Sequence, residues 1–139
     1  LAGTEVKNQN TQRAVEIALS RGFEVVVATN PVFPRQAIEE RLKWGNFEGT
    51  DFTLITSYEN MHYCKPQLHY YREILAKLNR TASECWMIGN DVGEDLVAGE
   101  LGIKTFLVDD CLIPGPEHLV ATKSGSMADL PRFVYGLNK

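Results

Sequence analysis

The sequence predicts an α/β fold, a three-layer α/β/α arrangement around a parallel sheet, and three observations predict it. Apolar runs alternate four times with segments of helical spacing. The runs are rich in β-branched residues and nearly unbroken, as suits parallel strands covered on both faces. The connections are short and carry Gly, Pro and Asn, which suits strand–helix–strand units.

At 139 residues the chain is expected to form one domain with a single core. Its 44% hydrophobic and 23% charged residues are ordinary globular values, without a disordered or membrane bias. A net charge of -4 with no basic cluster argues against nucleic acid or an anionic membrane as partner. Cys64, Cys85 and Cys111 are odd in number and lack CxxC spacing, so reduced thiols are expected rather than disulfides or a zinc site. No apolar stretch of 18 residues and no leader pattern occurs, and a soluble, cytoplasmic protein is the expectation. Residues 1–10 show neither an initiating Met nor a strand-like run and read as an internal start.

Asn10 or Thr11 caps a first helix carrying Ala14, Val15, Ala18 and Leu19, and Gly22 stops it. Residues 23–28 (Phe-Glu-Val-Val-Val-Ala) read as a strand buried on both faces. Pro31 ends it, leaving Thr29 and Asn30 at its carboxyl end. After Pro34 a second helix carries Ala37, Ile38, Arg41, Leu42 and Trp44, with Gly45 as its stop. Residues 52–56 form a short strand candidate. Lys65-Pro66 then precedes a third helix with Leu68, Tyr71, Leu75 and Leu78 on one face. Residues 85–89 are a buried strand, and Val92, Leu96, Val97 and Leu101 space a helix that Gly102 ends. Residues 104–108 are another buried strand, running into Asp109-Asp110. Past the turn-rich Ile113-Pro114-Gly115-Pro116, Ser126 and Asp129 suggest a capping box for a last helix with Leu130, Phe133, Val134 and Leu137.

In an open parallel sheet, ligands bind beyond the carboxyl ends of the strands. Three groups of polar residues fall there: Thr29-Asn30, Lys65, and Asn90-Asp91 with Asp95. A hydroxyl and an ammonium hold the oxygens of a phosphoryl group, and a carboxylate holds a magnesium ion that neutralises the rest. Each residue also has a plain alternative. Thr29 suits the end of any strand, Lys65 an exposed surface, and Asn90 or Asp91 the cap of the next helix. Asp95 suits the positive end of that helix. His62, His69 and His118 read as surface or packing histidines, and Tyr58, Tyr63, Tyr70 and Tyr71 as half-buried packing near Lys65.

Taken in order, Val25-Val26-Val27-Ala28-Thr29-Asn30, Lys65-Pro66 and Gly89-Asn90-Asp91-Val92-Gly93-Glu94-Asp95 resemble motifs two, three and four of the haloacid dehalogenase (HAD) superfamily. The resemblance spans roughly residues 10–110. It implies a Rossmann-like HAD core and a magnesium-dependent phosphatase of a small phosphorylated metabolite, working through an aspartyl-phosphate. By resemblance, Thr29 and Asn30 bind phosphate, and Lys65 offsets charge on phosphate and nucleophile. Asp91 holds Mg2+, with Asn90 as the other candidate because in many relatives the acid directly follows the Gly. Asp95 pairs with Lys65 or approaches the metal through water.

Motif one is the departure. Family phosphatases attack with the first Asp of an Asp-x-Asp run, and no two of Asp51, Asp91, Asp95, Asp109, Asp110 and Asp129 are separated by one residue. The expectation is a core domain from a longer chain whose first strand and cap are elsewhere, inactive as it stands. A non-catalytic phosphate- or partner-binding module of the same fold is the alternative. A receiver domain, with acids before its Thr, has the wrong order.

Overall fold

The computed structural model describes residues 9–47 and 49–138. In chain order the elements are α1 (Gln9–Ser20), β1 (Val26–Val27), α2 (Arg35–Trp44), β2 (Leu54–Ile55), α3 (Leu68–Leu78), β3 (Trp86–Gly89), α4 (Val92–Asp95), β4 (Lys104–Val108), β5 (Lys123–Gly125) and α5 (Leu130–Tyr135). All strand pairing is parallel, as the α/β reading requires. Two compact units result: α1, β1, α2, β2 and α5 form the first, and residues 62–127 form the second. Among the described residues no helix is long and apolar enough to cross a membrane.

In the first unit α1 begins at Gln9, ahead of the Asn10 and Thr11 expected to cap it. The reading of residues 1–10 as an internal start falls mostly outside the described residues. Gly22 stops the helix as expected. Its φ of +83° is left-handed, and the Phe23 N–H closes back on the Ala18 carbonyl at 3.0 Å. α2 buries Ile38 and Leu42, one turn apart, against Phe47 and Ile55, with Val15, Val27 and Phe52 around them. The left-handed residue after α2 is Asn46 (φ +63°) rather than Gly45. Gly45 serves by size, because a Cβ there would stand 3.0 Å from the Phe47 ring.

The strand expected over residues 23–28 pairs with β2 only at Val26 and Val27, extended by Thr53 N–H to Val25 O and Thr56 N–H to Val27 O. Its residues are half-buried, not buried. A strand is covered on both sides only with neighbours, and among the described residues β1 has one, β2.

The second unit is a three-stranded sheet in the order β3-β4-β5. β4 is central, and Thr105, Phe106 and Val108 are buried. β3, expected to be buried, is half-exposed along its length as an edge strand. β5 is a strand that its Lys-Ser-Gly sequence does not announce. It is aligned by β4 and by a reciprocal pair, Thr105 N–H to Thr122 Oγ1 (2.9 Å) and Thr122 N–H to Thr105 Oγ1 (3.1 Å). The helix expected over residues 92–101 is one α turn, α4, followed by a 3-10 stretch over Leu96–Leu101. Gly93 and Gly99 weaken its α preference, and Gly102 at φ +92° ends it as expected. α3 is rotated from its expected face and buries Tyr70, Tyr71 and Ile74, with the two tyrosine rings edge-on at 4.9 Å. α5 starts at Leu130 with no side-chain cap from Asp129.

Candidate active site

In the second unit β3 stops at Gly89 because the Asp95 carboxylate folds over its end. A Cβ on Gly89 would lie 2.1 Å from Asp95 Oδ2. Asp95 is 5% exposed, and both of its oxygens are engaged. Oδ1 accepts from Lys65 Nζ at 2.7 Å, and Oδ2 accepts the Asp91 N–H at 3.1 Å. The Lys65 side chain, 9% exposed, reaches this carboxylate from the loop before α3, next to the cis Lys65-Pro66 bond. Lys65 is therefore not the exposed surface lysine of the plain alternative.

Asp91 is the N-cap of α4. Its Oδ1 accepts the Glu94 N–H at 3.0 Å, and among the described residues Oδ2 carries no hydrogen bond. Asn90 turns the other way. Its Nδ2 donates to Cys111 O and its carbonyl accepts the Ile113 N–H, both at 2.8 Å. With the Val92 N–H on Ile113 O, these bonds stitch the turn after β3 to the loop after β4. Gly115 permits that contact, since a Cβ on it would meet Gly93 N at 2.7 Å.

Tyr71 completes the site and was indistinguishable in sequence from its packing neighbours. Its hydroxyl donates to the Glu94 carbonyl, tying α3 to α4. Burial, then the charge of Asp95, pushes the Tyr71 phenol far above its ordinary value and keeps it a donor. Burial and the charges of Asp91 and Asp95 push the Glu94 carboxyl up, against the opposing effect of Lys65.

Thr29 and Asn30 belong to the first unit. Thr29 Oγ1 donates to Thr56 O at 3.2 Å, and Thr56 Oγ1 donates back to Thr29 O at 2.6 Å, so the two strand ends are laced together. Asn30 Oδ1 is buried with no partner among the described residues. A buried acceptor without a donor is uncommon and suits a group completed by a ligand.

Magnesium takes six oxygen ligands, commonly one or two carboxylates with water and substrate oxygens completing the shell. Among the described residues no group of three or more His, Cys, Asp or Glu side chains converges as a metal cage. Asp91, with its second oxygen unused, fits one position of such a shell, and Asp95 is committed to Lys65 and the backbone.

The sequence pattern described as HAD-hydrolase-like matches residues 62–110, which cover Lys65 through Asp95. No curated protein matches the chain in sequence. Among solved structures, a protein of Thermotoga maritima assigned as a β-phosphoglucomutase is similar with a TM-score of 0.75 and 18% identity, over 91% of this chain and 59% of that one. YfnB of Bacillus subtilis, assigned as a HAD hydrolase and bound to magnesium, is similar with a TM-score of 0.73 and 17% identity, over 89% and 54%. A HAD phosphatase from Thermococcus onnurineus is similar with a TM-score of 0.70 and 15% identity, over 88% and 55%. The chain thus spans little more than half the length of these structures. The chain has the fold of these structures, and the stretch that holds the Lys65–Asp95 pair, within residues 62–110, matches the HAD-hydrolase-like family pattern.

Proposed function

We propose that the chain is the phosphate-handling core of a magnesium-dependent phosphatase that cleaves a small phosphorylated metabolite through an aspartyl-phosphate. The observation that carries the reading is the buried Lys65–Asp95 pair at the carboxyl end of β3. A buried ion pair is often no more stable than apolar residues in its place, so one kept at a ligand-binding strand end favours a functional role.

In this reading Lys65 and Asp95 are the catalytic pair. The ammonium offsets charge on the phosphoryl oxygens, and the carboxylate keeps it aimed. Lys65, Thr29 and Asn30 bind phosphate. Thr29 must turn its hydroxyl from Thr56 O to donate, and Asn30 must present its amide nitrogen, since a phosphate oxygen cannot satisfy Oδ1. Asp91 holds the metal, because Asn90 spends its amide on Cys111 and an amide binds magnesium less well than a carboxylate. A bound magnesium ion supplies positive charge against the phosphoryl oxygens. The nucleophile is assigned to a segment outside these 139 residues, since they contain no Asp-x-Asp pair and the similar structures are longer. A cytoplasmic setting, with no nucleic acid or membrane partner, completes the reading.

The missing Asp-x-Asp pair also favours a second reading for the 139 residues alone, a non-catalytic phosphate- or partner-binding module. Hydrolysis of an aryl phosphate with and without magnesium, by this chain and by the longer protein, separates the two. Magnesium-dependent turnover by the longer protein, abolished by Asp91→Ala, is expected. A longer protein with no Asp-x-Asp run and no turnover overturns the phosphatase reading.

A further inference from the structure

Glu73, on α3, has a side chain only 12% exposed, yet both of its oxygens are spent on a residue at the surface. Oε1 accepts the His62 backbone N–H at 2.8 Å and Oε2 meets His62 Nδ1, while the His62 side chain is 80% exposed. An ion pair with so exposed a partner contributes little, so burying a carboxylate for it is not explained by the ring alone. What the carboxylate also holds is backbone, three residues before Lys65.

The loop over residues 62–67 is fixed to α3 at both ends. Gln67 N–H returns to Cys64 O and Tyr70 N–H to Gln67 O, while the Tyr63 ring rests 4.9 Å from His69. From the middle of this loop Lys65 reaches Asp95. The charged groups acting on Glu73 are His62 from the loop and Lys77 one turn along α3. We infer that Glu73 is a positioning residue, clamping the 62–67 loop through both oxygens so that the Lys65 ammonium stays on Asp95. The inference rests on the functional reading of Lys65.

The test follows acetylation of Lys65 by acetic anhydride in the 139-residue chain, as a ratio to the exposed Lys43, compared between variants at the same pH. Loss of two hydrogen bonds to a carboxylate in Glu73→Ala raises the ratio about tenfold at neutral pH. Glu73→Gln gives the signature a general loss of stability would not. The Gln carbonyl still accepts the His62 backbone N–H, so the ratio stays near that of wild type. Glu73→Asp, one methylene shorter, cannot reach the His62 backbone N–H and the ring together, and the ratio climbs towards that of Glu73→Ala. An unchanged ratio in Glu73→Ala overturns the inference. If Glu73→Ala does not fold, Glu73→Asp decides alone, and an unchanged ratio there overturns it. Adding inorganic phosphate with magnesium to the wild type tests the reading of Lys65 separately, since protection there does not depend on the Glu73 variants.

Discussion

Gly89 has no room for a methyl group, because the Asp95 carboxylate occupies the space. Gly89→Ala should therefore cost about 3 kcal/mol, the upper end of overpacking, since moving Asp95 also strips Lys65 of its partner. Urea denaturation reads this, and a cost below about 1 kcal/mol, within the range of an ordinary substitution, would show that Asp95 relocates freely. The pair itself calls for a cycle. Lys65→Met leaves a buried carboxylate unpaired and should cost about 3 kcal/mol or more, whereas Lys65→Met with Asp95→Asn removes the charge, keeps an acceptor for the Asp91 N–H, and should recover part of the loss. Additive costs would show that the two side chains do not couple. Glu73 carries a pH dependence. Burial pushes its carboxyl up, but the His62 hydrogen bonds and the charges of His62 and Lys77 outweigh burial and hold it below its ordinary value. A lowered carboxyl contributes stability that is present above the unfolded value of about 4.5 and lost as pH falls through the folded value. The stability gap between wild type and Glu73→Ala should be full at neutrality and close under acid, and a gap constant with pH would refute the assignment.

At the scale of elements, α4 joins two explanations that the sequence left open for Asp91, the cap and the metal ligand. The structure makes Asp91 a cap through Oδ1, which leaves Oδ2 for a cation. Substitution separates them. Asp91→Asn keeps a good cap and should leave stability within a few tenths of a kcal/mol, while Asp91→Ala loses about 1 kcal/mol. If Asp91 also holds magnesium, both variants lose the magnesium-induced rise in thermal midpoint, and a full rise in Asp91→Asn would sink the metal assignment. Much of the fold was legible where local chemistry decides it: Gly22 and Gly102 at left-handed stops, the Ile38–Leu42 face, and the buried run of β4. What was not legible depends on partners distant in sequence. β5 is polar and is a strand because β4 aligns it, and α3 buries Tyr70 beside Tyr71, whose hydroxyl reaches the Glu94 carbonyl far along the chain. The Lys65–Asp95 contact was expected from the family resemblance. The His62–Glu73 clamp was not, because a surface histidine eleven residues before a glutamate carries no local signal.

Across the whole chain, the two strands that lead to Thr29 and to Asp91 both lie at sheet edges, and both are more exposed than their apolar sequences predict. Trp86, Met87 and Ile88 suit a strand with neighbours on either side, yet among the described residues β3 pairs only with β4. An edge strand leaves a row of amides without ladder partners, and those amides exchange readily with solvent. If, as proposed, a segment outside these 139 residues supplies the nucleophile and arrives as a strand, β3 gains a second ladder, and its outward amides become as protected as those of β4. Hydrogen exchange by mass spectrometry on peptides spanning β3 and β4 measures this in both forms. Fast exchange at alternate β3 amides is expected in the 139-residue chain, with protection in the longer protein. Equal protection of β3 in both forms would mean that no strand is added there, and the nucleophile would have to reach the Lys65–Asp95 pair from a loop.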